Sequence, residues 1–243
     1  MADNTVNEGG LGIFPIAPVT LFGDGWSTAR PHLLPLALGT FVLFSVGMMC
    51  IMPFSVGQVL TQMVAETLED QGLKALLMAV ALLLQALGSL ANAAFQGYTT
   101  IGGARAARKL VLNGDVGVSD FIVTDVRLVA SATVASLLSS LGAMAGMCLF
   151  IVPGLVIAGS LMLWPMVLLH EQVGPIAALQ RSWALTEGSR VEMVVWTIAA
   201  FFCVMLATIF TFGLGLFVAV PIIQIGLARA YFGLRRAEQD RRG

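Results

Sequence analysis

The sequence predicts an all-α membrane protein, a bundle of six transmembrane helices with further helices at the membrane surface. Of its 243 residues, 58% are hydrophobic and only 11% are charged, and the mean hydropathy is +0.89. A soluble domain of this composition would have too little polar surface to cover itself. The apolar residues also form four long runs without any charge: 31–65, 75–104, 128–170 and 193–228.

The N-terminal segment, residues 1–30, is predicted to be a tail followed by an interfacial stretch around Trp26. Its first ten residues, MADNTVNEGG, are acidic where a cleavable signal peptide carries positive charge, and LGIFPIAPVTLF contains two prolines. We therefore expect this segment to stay on the protein as a cytoplasmic tail followed by the interfacial stretch.

The lengths of the four runs predict the number of spans, because a bilayer core of about 30 Å needs about 20 helical residues. Runs one and two each fit a single span, and Pro53 either kinks or ends the first. The other two runs must fold back, which Pro153 and Gly154 predict for the third, and Gly213 and Gly215 for the fourth. The predicted spans in the membrane domain, 31–234, are 33–58, 75–104, 128–151, 154–170, 191–212 and 215–234.

The basic residues predict the orientation of this domain. Twelve of the thirteen Lys and Arg residues fall on one side if both termini are cytoplasmic, and Lys74 is the exception. An odd number of spans would break this pattern. The prediction is therefore a multi-pass protein of the bacterial inner membrane with a basic cytoplasmic tail at 235–243. The aromatic residues also map toward the cytoplasmic side, as an interfacial belt would: Trp26, Trp164, Trp183, Trp196, Tyr98 and Tyr231.

The segment AALQRSWALTEG interrupts the apolar sequence between spans four and five. Pro175 suits the first turn of a helix and Gly188 its end, so we predict an elbow helix over 175–187 that lies in the headgroup plane with Trp183 directed inward. One interpretation is a geometric connector. The other is a contact site for lipid headgroups or a partner, in which Arg181 binds a lipid phosphate or pairs with Glu171.

The stretch CLFIVPGLVIAGSLMLWPMVLLHEQVGPIAALQRSWALTEG resembles the signature of YciC-like bacterial membrane proteins, whose function is uncharacterised. It is also similar to the membrane domain fused to some glycerophosphodiester phosphodiesterases. The resemblance covers about residues 100–235, including the basic loop ARKLVLNGDVGVSDF, and implies six helices. No phosphodiesterase domain is part of this sequence, so the resemblance implies no hydrolytic activity.

The second span carries a polar stripe within its apolar sequence. Gln85, Ser89, Asn92 and Gln96 are spaced four, three and four residues apart and therefore share one helical face. Such groups need partners in hydrocarbon. They either bond to neighbouring helices, with Gly88 allowing close approach, or line a hydrated or headgroup-binding cavity. Gly142 and Gly146, spaced as G-x-x-x-G, predict a close helix contact within the bundle or, alternatively, between two copies.

No catalytic or metal-binding pattern stands out. HEQVG at 170–174 lacks the second histidine of a zinc-protease helix, and the sequence has only His32 and His170. Phosphate-binding loops and nucleophile elbows are absent from the sequence, and Cys50, Cys148 and Cys203 lie in apolar runs, which predicts small, buried free thiols. We therefore predict no cofactor, no metal and no enzymatic activity.

The predicted function is a non-enzymatic role in membrane organisation or lipid contact, with the protein acting alone or as an accessory subunit of a larger complex. The alternative is a small permease or lipid-transport component that uses the polar face of span two. The expected partners are the lipid bilayer and other membrane subunits. A net charge of −1 gives no general attraction for nucleic acid.

Overall fold

A computed structural model describes residues 18–68 and 70–242 of the chain. Within these ranges the protein is almost entirely helical, without strands, which confirms the predicted all-α class. The helices are α1 (Pro18–Ala29), α2 (Leu33–Thr67), α3 (Gln71–Asn113), α4 (Val126–Leu149), α5 (Ile151–Leu161), α6 (Trp164–Glu171), α7 (Pro175–Leu185), α8 (Arg190–Phe210) and α9 (Leu216–Arg242). Six segments of the described chain are long and apolar enough to cross a bilayer: α1 with α2 (Leu21–Thr67), α3, α4, α5 with α6, α8, and α9. Residues 1–17, which the sequence predicts to be a tail, lie outside the described residues.

The two ends of the described chain lie on the same side of the bundle. Arg229 of α9 forms an ion pair with Asp24 of α1 at 3.4 Å and also contacts Thr28. The last turns of α3, with Arg105, Arg108 and Lys109, end on this side as well, because Arg108 donates to the Leu169 carbonyl at 3.2 Å near the end of α6. We call this side the basic end. The C-terminal end of α2, the N-terminal end of α3 and the turns at 150 and 211–215 form the opposite end.

The first two long helices extend past the predicted bounds of 33–58 and 75–104. Pro53 lies inside α2, and α3 has 43 residues, or about 65 Å. The helix ends are set by caps: the Asp70 carboxylate accepts from the Gly72 amide at 2.8 Å, and Gly114 ends α3 with a φ of +71°. Hydropathy alone predicted that Arg105, Arg108 and Lys109 follow the span in a loop, whereas they lie in the last turns of α3.

The break in the third run lies at Phe150, and the predicted break at Pro153 and Gly154 was wrong. Pro153 occupies the first turn of α5, where its missing donor costs no helical hydrogen bond. Gly154 instead allows close packing, because a Cβ there would lie 2.6 Å from the Met147 nitrogen. Gly146 packs against it, so the G-x-x-x-G contact within the bundle is confirmed. The predicted single helix 154–170 is divided in two by a turn at 162–163.

The last two spans reverse direction at 211–215 as predicted, and Gly213 adopts a φ of +92° in this turn. The predicted basic tail at 235–243 is, up to Arg242, a helical continuation of α9. Its last residues, LRRAEQDRR, are mostly good helix formers, and Glu238 and Arg242 form an i,i+4 pair at 2.7 Å.

The core lies toward the basic end and contains three residues of the predicted aromatic belt. Trp164, Trp196 and Tyr231 are 5%, 0% and 0% exposed, so they pack against protein and the interfacial interpretation is wrong for them. Trp26 and Trp183 are exposed at 46% and 37%, as membrane-surface residues would be. The three cysteines are free, but Cys50 and Cys148 lie on the outer surface of the bundle, not in its interior.

Candidate functional site

The polar stripe of the second span divides into two parts with different surroundings. Gln85 accepts a hydrogen bond from the Gln58 amide of α2 at 3.1 Å, and Ser89 donates to the Gln85 carbonyl of its own helix at 2.8 Å. Next to them, Gly88 lets α3 approach Phe54, whose Cβ would lie 3.1 Å from a Cβ at position 88. Gln85 therefore follows the packing interpretation, whereas the hydroxyl of Ser89 finds its partner within α3.

Asn92 and Gln96, the other half of the stripe, line a cavity. This cavity, the first chamber, lies between α2, α3 and α9 and has a volume of about 340 Å³. It falls within the range of about 300–1,000 Å³ that is typical of small-molecule sites. Its lining is Leu36, Thr40, Leu43, Phe44, Asn92, Phe95, Gln96, Thr99, Gly103, Ala107, Phe121, Leu216, Val220, Pro221 and Gln224.

The lining of the first chamber is mostly apolar, and its polar groups are uncharged. Ten of the fifteen lining residues are hydrocarbon or aromatic residues or glycine, and the rest are two threonines and three amides. The Thr40 and Thr99 hydroxyls donate to backbone carbonyls of their own helices, Leu36 at 2.9 Å and Phe95 at 3.0 Å. The Thr40 and Thr99 oxygens can still accept a bond, and the amides of Asn92, Gln96 and Gln224 are the groups that can also donate one to a ligand.

Gln224 is a site residue that the sequence reasoning missed. It is the one amide in the apolar run LFVAVPIIQIG of α9, and its Oε1 is buried without a hydrogen-bond partner. Its side chain lies against Gly103 of α3, where a Cβ would be 3.5 Å from the Gln224 Cγ. A buried acceptor without a donor costs free energy, so such atoms occur where a ligand or water supplies the bond.

A second chamber of about 300 Å³ lies on the other side of Gln96 and Gln224, between α3, α4, α5, α6 and α9. Both glutamines line both cavities. The second chamber is richer in hydroxyl groups than the first: Thr100, Ser136, Ser139 and Ser140. Ser139 and Ser140 lie three and four residues after Ser136, so the three serines share one face of α4.

The predicted elbow helix is confirmed. It is α7, which spans Pro175–Leu185 compared with the predicted 175–187. Its buried face, Ala178, Ser182 and Leu185, packs on the bundle, and Ser182 donates to the Ser160 carbonyl at 2.8 Å. Gly188 ends the following turn with a φ of +89°. The elbow therefore packs directly against the bundle.

Arg181 joins the elbow to two other helices through carboxylates. Its guanidinium forms a bidentate pair with Glu238 of α9 at 2.9 and 2.5 Å, and its Nε donates to Glu171 at 3.4 Å. Tyr231 also donates to Glu171 at 3.2 Å. We call these four residues the elbow network. The hydrogen bonds to Glu238, opposed by burial and helped by the charge of Glu171, raise the pKa of Arg181 above its ordinary value.

The network bears on the contact interpretation of the elbow. Pairing of Arg181 with Glu171 was one of its two alternatives, and the structure adds the stronger pair with Glu238. Every nitrogen of the guanidinium faces a carboxylate, which competes with a lipid phosphate. Trp183 packs beneath Arg190, whose guanidinium carbon lies 4.5 Å from the ring centroid, and remains partly exposed.

A further ion pair, between Lys109 and Asp120, fixes the segment between α3 and α4. Lys109 donates to both Asp120 oxygens at 2.9 and 2.8 Å, and the Gly117 amide donates to the same carboxylate at 2.8 Å. Burial raises the pKa of Asp120, but the Lys109 and Gly117 hydrogen bonds outweigh it and lower the pKa below its ordinary value. Phe121, next in sequence, reaches the first chamber, so this ion pair holds part of the chamber wall.

Among the residues that the structure describes, no group of three His, Cys, Asp or Glu residues could hold a metal ion. Comparisons with models of protein families, with curated proteins and with solved structures return no match. The resemblance to YciC-like proteins therefore stays a prediction. The two chambers are the structural features that bear on function.

Proposed function

We propose that the protein is a non-enzymatic membrane protein that takes an uncharged amphipathic molecule from the bilayer into the first chamber, as a lipid-binding or lipid-transport component. The observation that carries the proposal is the lining of this chamber: a mostly apolar wall with a few uncharged hydrogen-bonding groups. Small-molecule sites commonly have this composition, in which apolar surface provides affinity and a few polar groups provide orientation.

The absence of charge from the described lining residues restricts the ligand. An ion brought into an apolar site is strongly disfavoured unless an opposite charge or several hydrogen bonds compensate it. The first chamber offers amides and hydroxyls but no Lys, Arg, Asp, Glu or His. A neutral lipid-like molecule meets this requirement, whereas a phospholipid headgroup or an inorganic ion does not.

The position of Phe44 supports entry from the bilayer. Phe44 lines the chamber and is also 42% exposed on the outer surface of α2. It forms an edge contact with Phe217 of α9, with ring centroids 5.8 Å apart. Phe44 therefore borders both the chamber and the lipid-facing surface, so a ligand that diffuses in the membrane could enter between α2 and α9 without crossing water.

The test uses the full chain in vesicles of phosphatidylethanolamine and phosphatidylglycerol, with a diacylglycerol that carries a photoactivatable group in one acyl chain. We expect crosslinks to lining peptides of α2, α3 and α9 that excess unlabelled diacylglycerol removes. Thr40→Trp should fill the chamber and abolish these crosslinks. The matched control is Val42→Trp, because Val42 is 43% exposed and does not line the chamber. Labelling that is confined to the outer surface, or that no competitor removes, would refute the proposal.

We further propose that the membrane is the bacterial inner membrane and that both termini are cytoplasmic. Six segments able to span and a shared side for the two described ends support this arrangement. The positive-inside rule then assigns the basic end to the cytoplasm. Reporter tags fused to either end should both report the cytoplasm, and tags that report opposite compartments would contradict it.

An accessory-subunit role is the second candidate. It is favoured by the half of the α2–α3 hairpin that lies away from the basic end, after Gly47 in α2 and before Ala93 in α3. Beyond Gly47, Ala65 is the one buried residue of the described part of α2, and Ala81 is the one buried residue of α3 before Ala93. Much of this hairpin is therefore covered by lipid or by another membrane helix. Co-purification of defined membrane subunits in mild detergent, lost on replacing exposed Met49 and Leu82 by Trp, would support this role.

A further inference from the structure

The second chamber has no part in the proposed function so far, yet it shares two residues with the first. Gln96 of α3 and Gln224 of α9 line both cavities, so the two spaces lie on opposite sides of one pair of amides. Because the cavities adjoin there, a ligand in the first chamber is within reach of the groups in the second. The two chambers therefore can serve one molecule with two chemically different ends.

The linings of the two chambers differ in the way that the ends of a lipid differ. The first has aromatic and aliphatic walls, including Phe44, Phe95 and Phe121. The second has four hydroxyl side chains. Ser139 donates to the Ser136 carbonyl at 3.0 Å, which leaves its oxygen able to accept a bond. Among the polar residues that the structure describes in the two linings, the hydroxyl groups that are hydrogen-bonded donate to backbone carbonyls, and no side chain bonds to the side chain of another lining residue.

The state of Gln224 specifies what the ligand must bring. Its Oε1 is buried and accepts no hydrogen bond, so the missing partner is a donor. A phosphate or carboxylate oxygen has only acceptor capacity when ionised, and a methyl ester or ether has no donor either. A hydroxyl group supplies the donor and can also accept a bond from Thr100, Ser136 or Ser140 of the second chamber.

We infer that the second chamber is a headgroup subsite for a lipid with an uncharged, hydroxyl-bearing headgroup, such as a diacylglycerol or a neutral glycolipid. This inference rests on the proposed function, because the part of the acyl chains next to the headgroup lies in the first chamber. The ligand hydroxyl donates to Gln224 Oε1, and Gln96, which also faces both chambers, orients the junction between chain and headgroup. The serines of α4 bind further hydroxyls.

The test compares two probes in the same vesicles: the photoactivatable diacylglycerol with its free hydroxyl, and the identical molecule with that hydroxyl as a methyl ether. The wild-type protein should be labelled about tenfold more by the free hydroxyl, because a site built to bond a hydroxyl rejects an analogue without the donor. Gln224→Met keeps the length of the side chain without its acceptor. On this variant, labelling by the alcohol probe should fall to the same level as labelling by the ether probe.

Matched controls separate this effect from altered folding. Gln85→Met removes an amide of α3 that bonds to Gln58 outside both chambers, and should leave the preference for the alcohol unchanged. Should Gln224→Met fail to fold, Ser136→Ala tests the same subsite from α4 and should reduce the preference several-fold, with Ser131→Ala as the control outside the chamber.

The outcomes also separate the inference from the proposed function. Equal labelling by alcohol and ether in the wild type, or a preference that survives both Gln224→Met and Ser136→Ala, would overturn the headgroup subsite while the crosslinks in the first chamber uphold the proposed function. If neither probe labels the lining of the first chamber, the proposed function fails and the subsite falls with it.

Discussion

Replacing Arg181 by alanine tests whether the elbow network holds the basic end together. The substitution leaves the carboxylates of Glu171 and Glu238 near each other without their shared cation. These two side chains are only 21% and 26% exposed, and that of Arg181 is 28% exposed. Breaking a fully buried pair costs about 3–5 kcal/mol, whereas an exposed pair contributes about 0–1 kcal/mol. For this intermediate burial we expect a loss of about 2 kcal/mol.

The chain offers a matched control in Arg242, which binds the same carboxylate from the other side. Arg242 contacts Glu238 at 2.7 Å, but its side chain is 74% exposed, and i,i+4 pairs of this kind contribute about 0.3–0.5 kcal/mol. At about 2–4 °C per kcal/mol for a chain of this size, Arg181→Ala should lower the midpoint by about 4–8 °C and Arg242→Ala by less than about 2 °C.

The assay is thermal unfolding of the purified protein in detergent, followed by helical circular dichroism and by the loss of the monodisperse peak. Equal shifts for the two variants would show that burial does not determine the strength of the pair. A double-mutant cycle with Glu238→Ala should give a coupling energy of about 1 kcal/mol or more, and additivity would refute direct pairing.

Two further predictions concern other contacts of the bundle. Gly97→Ala places a methyl group 2.7 Å from the Thr133 nitrogen of α4 and should destabilise the protein by about 1–3 kcal/mol. The control is Gly142→Ala, where the nearest atom would lie at 3.7 Å and the free energy of unfolding should change by less than about 0.5 kcal/mol. A loss of equal size at both positions in thermal unfolding would contradict the close approach of α3 to α4 at Gly97. Because Lys109 and Gly117 lower the pKa of Asp120 in the folded state, this carboxylate stabilises the protein above its ordinary pKa of 3.8, and the stabilisation disappears as the pH falls below that value. Asp120→Asn should therefore unfold with a weaker dependence on pH between about pH 6 and about pH 3, and an unchanged dependence would exclude this ion pair as its source.

Sequence reasoning predicted the fold class, the number of spans, the turn at Gly213 and the elbow helix, because a bilayer imposes length and polarity directly on the chain. It failed at helix ends. The α3 helix runs from the Asp70 cap to Gly114, past the point where hydropathy falls, since arginine and lysine are good helix formers.

The candidate site was predicted only in part, for a related reason. Hydropathy does not distinguish an apolar residue that faces lipid from one that faces protein, so Trp196 and Tyr231 were assigned to an interface although they are buried. The stripe on α3 was found because four polar residues repeat at helical spacing. Gln224 has no such repeat, and the sequence alone could not place it opposite Gly103 and Gln96.

The uncharged linings of the two chambers have an energetic consequence for any molecule that moves through them. The membrane potential performs work of about 2.3 kcal/mol per 100 mV on each elementary charge that crosses, and none on a neutral solute. Neither a neutral ligand nor the described lining residues carry such a charge. Net movement is then driven by the abundance of the ligand in the two leaflets, and depolarising the cell leaves its direction unchanged.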